Sequence, residues 1–529
     1  MLFEGILIVA TVFLISYRYV TKNFDRWKNI GIPYMKGTFP YGSHIEILTQ
    51  SKHINELFRE GYEKYRDEDF HGMFLFGKPV LVVHNTEMLR HVMVKDFNYF
   101  VDRNDSNFTR LFDGGEYDQY WLKQLTSLNG DEWKDVRSTF SPIFTSGKMK
   151  SMLRFITEIA QSLKSEFKTH ADSGRDFELR EVFGKFSLDS LAYCAFGINP
   201  KSFEDEKTTF VKNAAKMFTI NLLDNIKIFS RLLPYSAELQ KMLNLSILKP
   251  KETKFFFDVI KKTIKHRRET GDRPNDLIDM MIDCMKPMSG TEKDSYSESH
   301  DQFEKDMKLE HKKISELDED MVVSTAFILL VAGYDTTGMT LSYIGYFFSK
   351  HQDIQTRLQN EIDQAYEENE GKLPEYQIIQ ELPYLEMCIM ESVRCMTPVG
   401  GMLRACTKDY RFPNSNVEVK VNDLILIPAY GIHKDERYYP NPEQFNPENF
   451  SKKAKQSRSP FTFLGFGQGP RACIGMRFAL LETKVAVMEV LHNYSFIYSN
   501  KNPEVLQIDP QSQLGYIKGG LYAKIEHRN

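Results

Sequence analysis

At 529 residues, with 42% hydrophobic and 13% aromatic side chains, the chain carries enough apolar material for a substantial globular core. Its formal net charge of -4, from 68 basic and 72 acidic residues, excludes a general nucleic-acid binder. Six cysteines, at 194, 284, 388, 395, 406 and 473, show neither metal-finger spacing nor a compact disulfide framework, which fits a reducing compartment.

Residues 2–20 form an apolar run broken by Glu4 and Arg18 and followed by Lys22, Arg26 and Lys28. One helix of that length crosses a bilayer, with Arg18 snorkelling to the interface. The cations on its C-terminal side put the N-terminus in the lumen and the body in the cytosol. A cleaved signal peptide would need basic residues before the run and a small-residue cleavage site after it, and the sequence has neither. A lumenal body would also expose sequons at Asn107, Asn244 and Asn493. Trp27 reads as an interface anchor, and Pro33, Gly37, Pro40 and Gly42 as a stiff connector. The expected division is an anchor at 1–22, a basic, Pro/Gly-rich connector at 23–43 and one globular domain at 44–529.

Residues 73–76 and 80–84, joined through Gly77-Lys78-Pro79, read as a hairpin, with a helix opened by Asn85-Thr86. From about 130 to 400 the pattern is helical, with amphipathic stretches near 150–168, 205–224, 252–268 and 352–369. Short strands return at 410–430 and after 510, so the chain reads as mostly α with small β-sheets and no internal repeat. Residues 286–317, rich in Ser, Lys, Asp and Glu, read as a surface connection. Residues 218–248 are unusually apolar, which suits core packing or a dip into a membrane face.

Four motifs carry chemistry. Within 131–137, Trp133 and Arg137 lie one helical turn apart on one face. Residues 320–348 read as one long helix, apolar nearly all round and therefore buried; as a membrane span it would place Asp335, Thr336 and Thr337 at mid-bilayer. Inside it, Ala332 and Gly333 are small enough for a flat ligand to approach the backbone, and a threonine hydroxyl can divert a helix carbonyl. Glu391 and Arg394 set opposite charges three residues apart on a helix. Finally, Phe466-Gly-Gln-Gly-Pro-Arg-Ala-Cys473-Ile-Gly475 puts a cysteine at the end of a glycine-rich loop, where a helix from about 474 to 491 begins. Loop N–H groups of Gly467 and Gly469 curled toward the sulfur, with the helix dipole, favour the thiolate. By chance, F-x-x-G-x-R-x-C-x-G arises in roughly one in ten thousand chains of this length.

That loop resembles the cysteine-ligand signature of the haem-thiolate monooxygenases, the cytochromes P450, with Phe466, Gly469, Arg471, Cys473 and Gly475 at matching positions. The resemblance implies the P450 fold and haem b as cofactor, with Cys473 as the axial ligand of the iron and Phe466 packed beside it. It also implies that Trp133, Arg137, Arg404 and Arg471 hold the haem propionates. Residues 332–337 match the family's oxygen-binding helix: Ala332 and Gly333 would line the cofactor, Thr336 would orient dioxygen and a water, and Asp335 would link that water to solvent. Glu391 and Arg394 match the family's buried ion pair; its usual third partner, an arginine within 445–450, is replaced here by Asn449.

As partners the resemblance implies NADPH-cytochrome P450 reductase, cytochrome b5 as a second donor, O2 and an apolar substrate: a xenobiotic, steroid, fatty acid or terpenoid. Lys134, Lys148, Lys150, Arg154, Lys452, Lys453, Lys455 and Arg458 would form a basic patch steering an acidic electron donor. The anchor and loop most resemble the microsomal group that includes the vertebrate and arthropod xenobiotic-metabolising enzymes, held in the endoplasmic reticulum membrane. A haem-thiolate enzyme working without a reductase has no need of Asp335 and Thr336, and a gas sensor would have a closed distal side where Ala332 and Gly333 suggest an open one. Pocket candidates fall at 112–121, 218–228, 327–331, 399–403 and 515–521.

Overall fold

Helices dominate the computed structural model, which describes residues 2–75, 77–104, 115, 117–205, 208–217, 224, 236–243, 245–285, 318–512 and 514–528. The helices that position the site are α1 (Leu2–Thr21), α2 (Ile54–Lys64), α3 (Gly130–Phe140), α4 (Ser146–Ser173), α5 (Leu179–Phe196), α6 (Pro250–Thr270), α7 (Glu319–Lys350), α8 (Gln352–Glu368), α9 (Pro383–Cys395) and α10 (Met476–Asn493). The strands are β1 (Phe70–Leu75), β2 (Lys78–Val83), β3 (Phe177–Glu178), β4 (Met402–Ala405), β5 (Leu424–Ile427), β6 (Tyr494–Tyr498) and β7 (Tyr522–His527).

The core is built around α7. Its length follows from a near-continuous apolar sequence and from Asp318, whose side chain accepts from the Asp320 N–H and caps the first turn. Helix α5 lies along it because small residues permit close approach: a Cβ on Gly338 would stand 3.3 Å from the Gly184 Cα, and one on Gly345 would stand 2.8 Å from Leu179. Although α7 is long and apolar enough to cross a membrane, 67% of its most apolar stretch is buried in protein, which makes it a core helix.

The hairpin forms as read, antiparallel from Phe70 opposite Val83 to Leu75 opposite Lys78. β2 then pairs in parallel with β5, and β5 antiparallel with β4, which sets Arg404 opposite Ile425. A second sheet has the order β3-β7-β6. The strand carrying Arg404 begins before the 410–430 region where strands were expected, because its pairing partner, β5, is about twenty residues away in sequence.

Three expectations change. Trp27 is fully buried: its indole N–H donates to the Met73 carbonyl at 3.0 Å, and its ring occupies the space a Cβ on Gly72 would need, so it is a core residue and not an interface anchor. The helix expected at 205–224 is seen as Thr209–Met217, and residues 218–223 and 225–235 lie outside the described residues, as does 286–317. The last helix begins at Met476, two residues later than read.

Among its described side chains, helix α1 meets the body through its second half, where Val20 is buried against Gly77 and Phe13 and Tyr17 contact Phe39. Phe3, Ile6, Leu7, Leu14 and Ile15 are each more than half exposed.

Candidate functional site

The Cys473 loop is shaped by glycines at positive φ, 70° at Gly467 and 74° at Gly469. At Gly469 a Cβ would stand 1.8 Å from the Met93 carbonyl oxygen, so no other residue fits there. The loop closes through Cys473 N–H to the Phe466 carbonyl and Ala472 N–H to the Gly469 carbonyl, both at 2.8 Å. Gly467 donates to the Leu464 carbonyl at 2.9 Å, and the backbone N–H that reaches the sulfur belongs to Gly475 at the start of α10. Burial pushes the Cys473 thiol up; that N–H, Arg137 and Arg103 pull it back.

Cys473 is nonetheless exposed to a solvent-sized probe, as is Ala332 in the middle of the buried helix α7. Exposed residues on elements so deep line interior space that the protein itself does not fill. Gly333 does not share that face. The position of its missing Cβ is 2.8 Å from Leu191 on α5, so its smallness serves helix packing. Thr336 donates from Oγ1 to the Ala332 carbonyl at 2.7 Å, the diversion expected of a helical threonine.

Arginines gather beside the loop. Arg471, 3% exposed, donates from Nε to the Val101 carbonyl at 2.9 Å and from Nη2 to the Leu128 carbonyl at 2.7 Å, and lies 3.8 Å from the Trp133 ring centroid. Arg103 donates to the Arg471 carbonyl at 2.9 Å. Arg404 is buried, and its Nη1 donates to the Leu403 carbonyl at 2.8 Å. Burial lowers all three, and repulsion adds to it in two: Arg404 falls to about 9 beside Arg103, and Arg471 to about 7 beside Arg103 and Arg404. Asp102 acts on Arg471 but already accepts from the Gly130 N–H at 2.7 Å. Arg404 Nε and Arg471 Nη1 are buried without a hydrogen-bond partner.

Clustered buried cations with donors left over demand an anion. A haem, with two propionates and an iron needing a thiolate, fits this donor set: Arg404 and Arg471 offer the unpaired N–H groups, Arg103 and Arg137 add charge, and Cys473 supplies the accessible sulfur.

Behind the loop, Glu391 and Arg394 form a wholly buried bidentate pair at 2.7 and 2.8 Å. Asn449 donates to Glu391 Oε1 at 3.0 Å, beside the Asn446 N–H at 2.8 Å, so asparagine keeps a place in the network. Arg394 also donates to the carbonyls of His433 and Pro442, at 2.8 and 2.9 Å. His433 Nε2 accepts from the Leu464 N–H at 2.8 Å, which hands the network on to the Cys473 loop. Burial beside Arg394 holds His433 far below its ordinary pKa, hence neutral.

On the other side of α7, Asp335 is 2% exposed; its Oδ1 accepts from the Tyr516 hydroxyl and its Oδ2 has no hydrogen-bond partner. Burial pushes the Asp335 carboxyl up, while Tyr516 and Arg180 pull it down.

Arg103, His433 and Tyr516 were not singled out from the sequence. No local pattern marks them, because their partners lie far away along the chain. Of the basic residues, Lys148, Lys150, Lys452, Lys453 and Lys455 are exposed, whereas Arg458 packs on Tyr439 at 4.4 Å and Arg154 donates to the Pro274 carbonyl at 2.6 Å. Among the pocket candidates, Phe327 is core, 5.0 Å from Phe257 of α6, and Phe112, 218–223 and 225–228 lie outside the described residues.

The family model described as Cytochrome P450 matches residues 33–523. "Cytochrome P450 9e2" of Blattella germanica is 32% identical over 538 aligned residues, covering 98% of this chain and 97% of the relative. "Cytochrome P450 3A2" of Rattus norvegicus is 32% identical over 497, covering 93% and 91%. "Probable cytochrome P450 9f2" of Drosophila melanogaster is 29% identical over 536, covering all of both chains.

Proposed function

Since the chain belongs to the cytochrome P450 family of haem b monooxygenases, we propose that Cys473 is its axial thiolate and that it oxygenates apolar organic molecules with electrons from NADPH delivered by a membrane-bound reductase. The observation that carries this reading is the accessible sulfur of Cys473 beside Arg404 and Arg471, whose Nε and Nη1, respectively, are buried without a hydrogen-bond partner among the described residues.

When bound, haem b supplies dioxygen activation, which a thiolate ligand favours. The chain's residues supply the rest. The Gly475 N–H, the start of α10, Arg137 and Arg103 favour the Cys473 anion against the burial that raises its pKa. Arg103, Arg137, Arg404 and Arg471 would hold the haem's propionates, with Trp133 backing Arg471. Ala332 would leave room for the haem, and Thr336, anchored on the Ala332 carbonyl, would orient a hydrogen bond toward dioxygen. Asp335 takes up and passes on protons, a role supported by its burial and its unpartnered Oδ2.

The apolar outer face of α1 supports a tether to the endoplasmic reticulum membrane with the body in the cytosol. Leu239, Met242 and Leu243, all more than half exposed, add an apolar patch suited to contact with the same membrane, a route by which apolar substrates enter. Xenobiotics, steroids, fatty acids and terpenoids are the candidate apolar substrates, and the exposed lysines 148, 150, 452, 453 and 455 suit an acidic flavoprotein donor, with cytochrome b5 as a second one.

The test is the carbon monoxide difference spectrum of the dithionite-reduced protein beside a Cys473→His variant. A red-shifted thiolate band that the variant loses supports the assignment. A well-folded wild-type protein without such a band would refute it.

A further inference from the structure

On the reading that Asp335 carries protons, the groups around it form a line from solvent inward. Outermost is Arg180, 45% exposed, whose guanidinium lies over the Tyr516 ring at 3.3 Å from its centroid. Next is the Tyr516 hydroxyl, which donates to Asp335 Oδ1; Arg180 Nη2 stands 3.8 Å from the same oxygen. Innermost is Asp335 Oδ2, buried and without a hydrogen-bond partner.

The loop that brings Tyr516 is itself held. Gly515 and Tyr516 both donate their N–H groups to Ser512 Oγ at 2.9 Å, and the Tyr343 hydroxyl donates to the Gly515 carbonyl. Among the described residues, the other titratable groups here are two phenols of α7, Tyr334, pushed up to about 12 by burial and Asp335, and Tyr343, raised by burial, together with Glu178, which shares the Arg180 charge. The phenols stay neutral, so Tyr516 and the share of Arg180 not taken by Glu178 balance Asp335.

We propose that Tyr516 and Arg180 are positioning residues for proton delivery: the phenol clamps Oδ1 and the guanidinium clamps the phenol, which leaves Oδ2 as the exchanging oxygen of Asp335. A phenol O–H donates to a carboxylate and so favours the ionised form. Without that support, burial alone would keep Asp335 protonated further up the pH scale. The step moves one proton and no electrons. An O–H bond forms at Oδ2 as a water-borne proton arrives, and breaks as the proton passes toward the acceptor beside Thr336.

Tyr516→Phe keeps the ring under Arg180 and deletes only the hydroxyl; Arg180→Gln removes the charge together with its stacking on that ring. In the holoenzyme, the infrared carboxyl band that Asp335→Asn abolishes gives the Asp335 protonation midpoint. Tyr516→Phe should raise that midpoint by about one pH unit, and Arg180→Gln should raise it too. The pH profile of reductase-supported NADPH oxidation should shift the same way, and Tyr516→Phe placed on Asp335→Asn should shift it no further. An unchanged midpoint in Tyr516→Phe, or an equal profile shift with Asp335 already replaced, would overturn the proposal. The carbon monoxide band of the same preparations separates the two readings: its absence removes the haem assignment, while the infrared midpoint still tests Tyr516.

Discussion

Arg404 is a buried cation without an internal counter-charge, and its substitution should act in opposite directions on the two states of the protein. Arg404→Met should speed haem transfer to an acceptor apoprotein about tenfold or more, the loss of one charge-assisted hydrogen bond. It should leave the thermal stability of the haem-free chain equal or higher, because repulsion with Arg103 is relieved. His53 offers a second residue-level test. Its Nδ1 accepts from the Asn55 N–H and caps α2, its Nε2 bonds the Ser512 carbonyl, and burial lowers its pKa to about 4. The unfolded chain, with an ordinary histidine pKa near 6.5, therefore binds more protons between pH 6.5 and 4. Stability should fall across that window by up to about 3 kcal/mol as pH falls. Denaturant midpoints measured at pH 7 and pH 5 should show a smaller drop in His53→Asn, which keeps an oxygen cap but does not titrate.

Elements were legible where one residue type is dictated locally and opaque where the partner is distant. The Cys473 loop could be read because a backbone at positive φ, pressed against Met93, admits only glycine. Helix α7 could be read because a long run apolar all round has few other fates. Spacing alone could not show that Gly333 packs on Leu191 while Ala332 faces open space, that Trp27 sinks into the core over Gly72, or that Arg103 joins the arginines. Each depends on which elements meet. The pairing of Glu391 with Arg394 was readable from its spacing of three, and its cost follows from complete burial. Glu391→Ala leaves Arg394 buried and unpaired, which should destabilise by about 3–5 kcal/mol. Because Arg394 supports His433 and so the loop, the yield of haem-bound protein should collapse along with stability in urea titration.

Across the whole molecule, α1 and the body are nearly independent. Among the described side chains of the helix only Val20 is buried, so removal of residues 2–18 should leave the haem spectrum intact. In cell fractionation the shortened chain should move from the membrane pellet toward the supernatant, retaining some membrane affinity through Leu239, Met242 and Leu243. Full retention in the pellet would assign membrane binding to that second patch alone. The sheets, by contrast, join distant segments: β2 and β5 pair in parallel although about 340 residues separate them, a long-range pairing of the kind that slows folding.

The arginines beside Cys473 have one more consequence, for the life of the protein in a cell. On the proposed haem site, arginines that repel one another gain their counter-charge from the propionates, so the final tightening of the fold is an assembly step with a second component. Newly made protein should therefore accumulate in proportion to the supply of that component, and chains that fail to receive it should be cleared by proteolysis before they reach the working pool.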